Sequence, residues 1–275
     1  MRRVRPAGEV LLIDLGNSRI KWARWRDGRL GPARASGYAS WTSEDFARRV
    51  FSPAPARAFV VSVATAAVER RLAAAARRAS GSAPRFIRTT RHAAGVTTRY
   101  SEPWRLGVDR FVGVIAAHRL AGSHAVCVVS AGTAVTIDLV DARGVHRGGV
   151  ILPGADLMVR SLLTSTAGIE RRARGGGSGG GLFARSTAAA IAEGARYALA
   201  AVIERAVAEA RLRLAQTPIL VLTGGALREL QPLLQRAYVH VPQLVLLGAA
   251  LYAGLPVGGV AGHLRARRSR TARSR

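Results

Sequence analysis

Hydrophobic and polar positions along the chain alternate between short apolar runs and longer segments with helical spacing. The first apolar run, residues 9–14, predicts a buried strand, and residues 20–25 predict its hairpin partner across a small-residue turn at 15–19. The other elements predicted for this half are a strand at 58–63, a helix at 65–79 with Thr65 as N-cap, an edge strand at 85–88 and a helix at 106–120.

The same order begins again after residue 122. Residues 125–130 and 135–140 predict two strands around a Gly132-Thr133 turn, and the Arg/Gly-rich residues 171–181 predict a flexible loop. The elements predicted after this hairpin are a strand at 148–152, a helix at 187–214 with Thr187 as N-cap, a strand at 219–222 and a helix at 244–252. We therefore expect a tandem duplication with a basic extension at 1–8, α/β domains at 9–122 and 123–256, and a disordered Arg-rich tail at 257–275.

The composition is that of a globular protein, because 49% of the 275 residues are hydrophobic and 21% are charged. No apolar run approaches the ~20 residues that span a bilayer. The basic N-terminus lacks the long apolar segment and small-residue cleavage site of a secretory signal. The single cysteine, Cys127, lies in an apolar run and is expected to be a small core residue. The expected location is the cytoplasm.

The formal charge of +26 would suit a nucleic-acid-binding protein. Lys21 is the only lysine, however, and the arginines are spread along the chain rather than gathered on one helix. Only the tail concentrates them, and such a tail would bind any polyanion weakly and in a salt-dependent manner. A nucleic-acid-binding function therefore depends on charge alone. It predicts tight, sequence-tolerant DNA binding that survives removal of the tail.

Residues 14–21 (DLGNSRIK) have the chemistry of a phosphate-binding turn. The strand delivers Asp14 to its C-terminal end, and the small residues after it can present backbone N–H groups and polar side chains to phosphate oxygens. The Asp14 carboxylate could hold Mg²⁺ through water. An ordinary hairpin is the alternative, since Gly-Asn is common in turns.

Two later glycine-containing segments extend this pattern. Gly132-Thr133 follows a buried strand just as the first turn does, and Thr223-Gly224-Gly225 follows another strand and opens a helix, which suits close approach of a nucleotide. The sequence contains neither G-x-x-x-x-G-K-[ST] nor G-x-G-x-x-G after the first strand. Two phosphate hairpins in matching positions, followed by a late TGG, resemble the layout of actin, sugar kinases and heat-shock chaperone ATPases. That resemblance implies a duplicated ribonuclease H-like α/β fold.

A carboxylate beside an arginine opens the predicted helix at 106–120. Asp109 could orient and deprotonate an alcohol, and both Arg110 and the positive end of the helix dipole favour its ionised form. The alternative is a helix-terminal carboxylate in a local salt bridge. Asp138 is a second carboxylate, which we expect to have a structural role.

Taken together, the motifs resemble those of the type III pantothenate kinases, a family that includes proteins named Bvg accessory factor. The resemblance covers most of the chain from residue 11 to residue 254. It is carried by D-x-G-N-[ST]-x-x-K at 14–21, Tyr100 before G-x-D-R at 107–110, G-T-A-x-T-x-D at 132–138, G-G-x-I-x-P-G at 148–154, S-T-x-x-A-I-x-x-G at 186–194, the TGG and the terminal L-x-L-x-G-A.

The resemblance implies the first step of coenzyme A synthesis, in which ATP and pantothenate give ADP and 4′-phosphopantothenate. It also implies a homodimer with pantothenate bound near the subunit interface and Asp109 as the general base. The residues implied for the ATP phosphates are Asp14, Leu15, Gly16, Asn17, Ser18, Arg19, Ile20, Lys21 and Thr133. Those implied for pantothenate are Tyr100, Gly107, Val108, Asp109, Arg110 and Thr187, the last one from the partner chain.

The sequence departs from the family pattern at Ser130, where many members carry an aspartate that binds a monovalent cation. A hydroxyl is a weaker ligand, so a need for K⁺ or NH₄⁺ stays an open question at this point. Two further functions remain as alternatives. One is an actin-like kinase for another small alcohol, because specificity depends on a few pocket residues. The other is a catalytically weak or inert nucleotide-binding regulator of the same fold.

Overall fold

A computed structural model describes residues 8–174 and 181–257. The predicted extension and Arg-rich tail lie almost wholly outside the described residues, as do residues 175–180 of the predicted loop. The described chain forms two compact units. The first comprises residues 8–122, 144–146 and 243–257, and the second comprises residues 123–143, 147–174 and 181–242. Each described helix is too short or too polar to span a bilayer.

Strands and helices alternate along both units. The strands are β1 (Val10–Leu15), β2 (Arg19–Arg26), β3 (Arg29–Leu30), β4 (Arg34–Gly37), β5 (Arg57–Ser62), β6 (Arg85–Phe86), β7 (His92–Ala93), β8 (Val96–Thr98), β9 (Val126–Ala131), β10 (Ala134–Val140), β11 (Val145–Pro153), β12 (Ile219–Thr223) and β13 (Val239–His240). The helices are α1 (Ser43–Val50), α2 (Ala66–Ser80), α3 (Val108–Ala121), α4 (Ala155–Ser165), α5 (Ala167–Ala173), α6 (Thr187–Leu214), α7 (Leu227–Leu230) and α8 (Leu244–Tyr252), with 3₁₀ turns at Pro103–Arg105 and Gln231–Leu233.

The first unit is built on a mixed sheet whose strand order is β3-β2-β1-β5-β6, with β4 also paired to β2. The hairpin strands β1 and β2 are antiparallel, whereas β1 and β5 are parallel. Successive residues of β1 point to opposite faces, so Leu11 packs with Phe46 and Leu72 on one side while Leu12 packs with Val112 on the other. Helices therefore cover both faces, and β1 is apolar on both.

Helix α8 packs against α3 within the first unit. The two helices approach so closely that a Cβ at Gly248 would lie 1.9 Å from the Val112 carbonyl oxygen, which explains the glycine in an otherwise bulky apolar helix. The sequence boundaries placed this helix at the end of residues 123–256. Its contacts instead group it with residues 8–122, because its apolar side chains complete that core.

The second unit repeats the hairpin-led plan. Its sheet has the order β13-β12-β9-β10-β11, with β9 and β10 antiparallel and β12 parallel to β9. Leu199, Ile203 and Val207 of α6 pack on one face of this sheet. The first two residues of β11, Val145 and His146, belong to the first unit, where they pair with β8.

Several local predictions differ from the structure. Ser186, not Thr187, caps α6, since the Ser186 hydroxyl accepts a hydrogen bond of 3.2 Å from the Ala189 N–H and Thr187 is the first helical residue. Arg171–Ala173 is helical rather than loop, because α5 continues to Ala173. The predicted edge strand at 85–88 has only two residues, and β11 is longer than its predicted 148–152. Thr65 does occupy the N-cap position of α2, without a side-chain cap bond.

Candidate functional site

The first hairpin carries a charged pair just before its turn. Asp14 in β1 lies directly opposite Lys21 in β2, and the Asp14 side chain is half-buried. The pKa of Asp14 is raised to about 6, mainly by burial and additionally by the negative charge of Asp109, while the positive charge of Lys21 acts in the opposite direction. Asp109 is therefore close enough for the two carboxylates to repel each other. Such a pair favours a cation beside it.

The turn after Asp14 is held from one side. The Gly16 N–H donates 3.0 Å to the Arg19 carbonyl, and the Tyr38 hydroxyl contacts the carbonyl oxygens of Gly16 and Asn17, the latter at 3.0 Å. Asn17, Ser18 and Arg19 are exposed. Leu15 and Ile20 are fully buried in the core, so only their backbone groups are available to a ligand. The turn thus offers backbone and polar side-chain groups on a fixed frame.

Asp109 occupies the first turn of α3, where the helix dipole favours a negative charge. Its Oδ1 accepts a hydrogen bond of 2.8 Å from the Arg110 N–H. A Cβ at Gly107 would lie 2.8 Å from this same oxygen, so the glycine leaves the space that the carboxylate fills. Val108 is buried and packs in the core of the first unit. The G-x-D-R motif therefore fixes the position of one carboxylate.

Arg110 is buried, and its Nη1 donates a hydrogen bond of 3.3 Å to the Tyr100 hydroxyl. Tyr100 is half-buried and sits in a segment that Arg91 fixes. Arg91 donates from Nη1 to the carbonyls of Thr98 and Tyr100 and from Nη2 to that of Ser101, with distances of 3.2, 2.5 and 2.7 Å. Arg91 is not among the site residues predicted from the sequence. Nothing in its local sequence distinguishes it from the many other arginines.

His146 is a second residue near the site that the sequence did not predict. It is fully buried, and its ring stacks on that of Tyr100 with centroids 5.8 Å apart and an interplanar angle of 28°. The two residues are far apart in sequence, and they meet because β11 pairs with β8 at His146 and Thr98. No pattern within either segment predicts this contact.

The second hairpin has a different support. Its turn, Gly132-Thr133, is exposed, and the Gly154 N–H donates 2.8 Å to the Thr133 carbonyl. A Cβ at Gly154 would lie 2.4 Å from the Gly132 carbonyl oxygen, and one at Gly224 would lie 2.0 Å from the Ala131 carbonyl oxygen. The P-G and TGG motifs therefore place glycine backbone directly against this turn.

Ser130 lies one residue before the end of β9 and is opposite Thr136 on one side and Thr223 on the other. These register partners share one face of the sheet, and the buried Asp138 lies two residues beyond Thr136 on that face.

Burial raises the pKa of the Cys127 thiol to about 12, with a further contribution from the charge of Asp138, so the thiol is neutral at physiological pH. This agrees with its predicted role as a core residue.

Thr187 is half-buried beside a cavity of about 770 Å³ in the second unit. Met158, Leu162, Ile169 and Ile191 give this cavity a mainly apolar wall.

Of the residues predicted for the site, the first unit holds Asp14, Lys21, Tyr100, Asp109 and Arg110, and links them through the contacts described above. Ser130, Thr133 and Thr187 belong to the second unit.

Comparison with protein families gives one consistent result. A family model described as type III pantothenate kinase matches residues 10–209. The type III pantothenate kinase of Halorhodospira halophila is 39% identical over 246 residues, which cover 86% of this chain and 95% of the relative. That of Aromatoleum aromaticum is 39% identical over 255 residues, covering 89% and 97%. The similarity therefore extends over nearly the full length of these relatives.

Two solved structures resemble the fold. A Baf family protein from Campylobacter jejuni has a TM-score of 0.54 at 22% identity and covers 86% of this chain and 94% of its own. The activator of 2-hydroxyisocaproyl-CoA dehydratase from Clostridium difficile, solved with bound ADPNP, has a TM-score of 0.50 at 12% identity and covers 89% and 94%. At such identities the likeness concerns the fold alone. Together with the two hairpin-led mixed sheets, it confirms the expected duplicated ribonuclease H-like α/β fold.

Proposed function

The chain belongs to the type III pantothenate kinase family, and we propose that its reaction depends on the carboxylate and arginine pair that opens α3. The protein is an enzyme that transfers the γ-phosphate of ATP to pantothenate and so starts coenzyme A synthesis. Phosphoryl transfer requires mainly that the acceptor hydroxyl be oriented and that the phosphate charge be neutralised.

Asp109 is proposed as the general base. This role is supported by the fixed position of its carboxylate, which accepts a hydrogen bond of 2.8 Å from the Arg110 N–H. The carboxylate also lies close enough to Asp14 for its charge to raise the pKa of Asp14. In this role Asp109 orients the pantothenate hydroxyl and accepts its proton as the oxygen bonds to phosphorus, while the P–O bond to ADP breaks. The space left by Gly107 allows the carboxylate to keep this position.

The ATP phosphates are proposed to bind at residues 14–21 and at Thr133. The residues of the first turn fit Mg²⁺, because a half-buried carboxylate whose pKa is raised partly by a second carboxylate gains from a nearby cation. Asp14 would hold the Mg²⁺ through water, and the ion would neutralise phosphate charge during transfer. Lys21 supplies a further positive charge on the neighbouring strand. Thr133 offers a hydroxyl on the exposed turn of the second unit.

Pantothenate is proposed to bind at Tyr100, Gly107, Val108, Asp109, Arg110 and Thr187. The carboxylate of this substrate suits a buried guanidinium, because charge-assisted hydrogen bonds are strongest away from water. Val108 would contribute its backbone, since its side chain lies in the core. Thr187 is proposed to act across a homodimer interface. The exposed Leu162, Leu182 and Phe183 near its apolar cavity favour such an interface.

A monovalent cation and a cytoplasmic location complete the proposal. Ser130 and its register partners Thr136 and Thr223 offer neutral oxygen ligands, so K⁺ or NH₄⁺ would bind there with at most a modest effect on rate. A cytoplasmic location is proposed because the chain belongs to a family of biosynthetic kinases.

The test is ADP release from the purified protein with MgATP, with and without pantothenate, in K⁺, NH₄⁺ and Na⁺ buffers. We expect pantothenate-dependent turnover and a loss of about 10²–10⁴-fold in kcat for Asp109→Asn. Glu44→Gln is the matched control, because Glu44 is likewise the second residue of a helix and is exposed. A folded protein that binds ATP but turns over in no buffer would favour the inert regulator. Turnover with sugars instead of pantothenate would favour a kinase for another alcohol.

A further inference from the structure

Tyr100 is held from several directions within the first unit. The Tyr100 N–H donates 3.2 Å to the Thr98 hydroxyl, and Arg91 binds the carbonyls of Thr98 and Tyr100. These contacts fix the backbone of Tyr100. They leave the orientation of its ring undetermined, because rotation about the side-chain bonds does not disturb them.

Two other contacts act on the side chain itself. The Arg110 guanidinium donates 3.3 Å to the Tyr100 hydroxyl, and the His146 ring stacks on the phenol ring. His146 cannot move away readily, since it is fully buried and lies opposite Thr98 in the β8–β11 pair. Thr98 therefore anchors both partners of the stack. It is the strand partner of His146, and its hydroxyl accepts the hydrogen bond from the Tyr100 N–H.

We infer that His146 is a positioning residue for pantothenate binding, and that it acts by fixing the ring of Tyr100. This rests on the proposed function of Tyr100 and Arg110 in holding the substrate. Because Arg110 donates to the phenol oxygen, the phenol proton is directed toward an acceptor elsewhere, such as a carboxylate or amide oxygen of the substrate. A phenol can serve that acceptor only if its ring stays in one orientation, and the stack supplies this restraint.

The test compares three variants by steady-state kinetics with pantothenate and ATP varied separately. A stacked aromatic pair is worth about a 2- to 10-fold change in affinity, so we expect His146→Ala to raise the KM for pantothenate by about 3- to 10-fold. The KM for ATP should stay unchanged. His146→Phe keeps a flat ring in the same place and should return the KM for pantothenate to within about twofold of the original. Tyr100→Ala should raise the same KM at least as much as His146→Ala.

A double-mutant cycle separates positioning from general destabilisation. If His146 acts through Tyr100, then the His146→Ala change should have no further effect on the KM for pantothenate once Tyr100→Ala is present. Leu72→Ala is the stability control, because Leu72 is also fully buried in the first unit but lies in the core around α1 and α2. It should lower the melting temperature and leave both KM values unchanged.

Two results would overturn the inference. One is that His146→Ala leaves the KM for pantothenate unchanged. The other is that the increases in this KM caused by His146→Ala and by Tyr100→Ala multiply in the double variant. Failure of the proposed function would be visible separately, because the original protein would then show no pantothenate-dependent ADP release at all.

Discussion

The hairpins that open the two units are both antiparallel but differ in turn length and in charge: residues 16–19 lie between the last cross-strand pair of β1 and β2, and residues 132–134 lie between that of β9 and β10. In each hairpin we compare the second cross-strand pair counted from the turn. In the first hairpin this pair is Asp14 with Lys21, and in the second it is Ser130 with Thr136. The two hairpins therefore share the antiparallel strand pairing, but their turns differ in length and one cross-strand pair is charged where the other is neutral. If both turns bind phosphate as proposed, the first would contribute charged side chains and the second hydroxyl and backbone groups.

The contacts that hold the two turns in place also differ in kind. The first turn rests on a side chain, the Tyr38 hydroxyl against the carbonyls of Gly16 and Asn17. The second rests on glycine backbone, with Gly154 and Gly224 in direct contact. Side-chain support tolerates small shifts, whereas backbone contact at these distances leaves no room for a Cβ. We therefore expect the second turn to be the less tolerant of substitution.

The largest effect is expected from Gly224→Ala. The new Cβ would lie 2.0 Å from the Ala131 carbonyl oxygen, and the residue has a φ of +107°, which disfavours any side chain. Overpacking and backbone strain together should lower the free energy of unfolding by about 3–5 kcal/mol. Urea unfolding followed by circular dichroism measures this.

Gly225→Ala is the matched control for this prediction. A Cβ at Gly225 would meet no atom within 4 Å, so the substitution should change the free energy of unfolding by less than about 1 kcal/mol. Equal stability of the two variants would show that the backbone contact at Ala131 does not hold the second turn.

The sequence predicts this fold well where a pattern is local. The two hairpins and the long helix α6 follow from apolar runs and small-residue turns, and the G-x-D-R motif lies at the start of α3 as predicted. Helices α1 and α4 were not predicted. Helix α1 is only eight residues long, but Phe46 and Val50 share its buried face and Thr42 and Asp45 form a capping box, so the sequence did contain a signal for it. Helix α4 has no buried residue, so core packing imposes no clear apolar stripe on it.

The supporting residues of the site could not be predicted in the same way. The stack of His146 on Tyr100 depends on which strand lies beside β8, and that pairing joins segments distant in sequence. The difference between the turns is also tertiary, because the glycines that support Thr133 come from two separate motifs. The TGG motif predicted close approach of a nucleotide, and its Gly224 also lies directly against the Ala131 backbone, a contact that the sequence alone did not indicate.

A smaller effect is expected at the charged pair of the first hairpin. The pKa of Asp14 is about 6 in the folded protein against an ordinary value of 3.8, so the folded state keeps a proton that the unfolded state loses. Stability should therefore fall as pH rises from about 4 to about 6. Asp14→Asn removes this titration. We compare the free energy of unfolding of Asp14→Asn with that of the original protein at each pH. The difference, variant minus original, should rise by about 1–3 kcal/mol from pH 3.5 to pH 7.5.

Measuring both proteins across this range cancels the other titrating groups. Asp109→Asn sharpens the test, because loss of the Asp109 charge should lower the pKa of Asp14 and narrow the pH window. Parallel stability curves for the original protein and Asp14→Asn would contradict the raised pKa. In the original protein, the KM for ATP should also increase below about pH 6, since a protonated Asp14 cannot help to hold Mg²⁺.

The smallest effect is expected at the neutral pair of the second hairpin. Ser130→Asp would give it a carboxylate beside Thr136 and Thr223, on the face that already carries the buried Asp138. Repulsion between two carboxylates should make a bound monovalent cation more favourable, so the ratio of kcat/KM in K⁺ to that in Na⁺ should rise by about 2- to 10-fold. Ser130→Asn has nearly the same size without the charge and should leave this ratio near its original value. If the two variants gave equal ratios, then the second hairpin would hold no cation, and its turn would act on the phosphates through Thr133 and backbone groups alone.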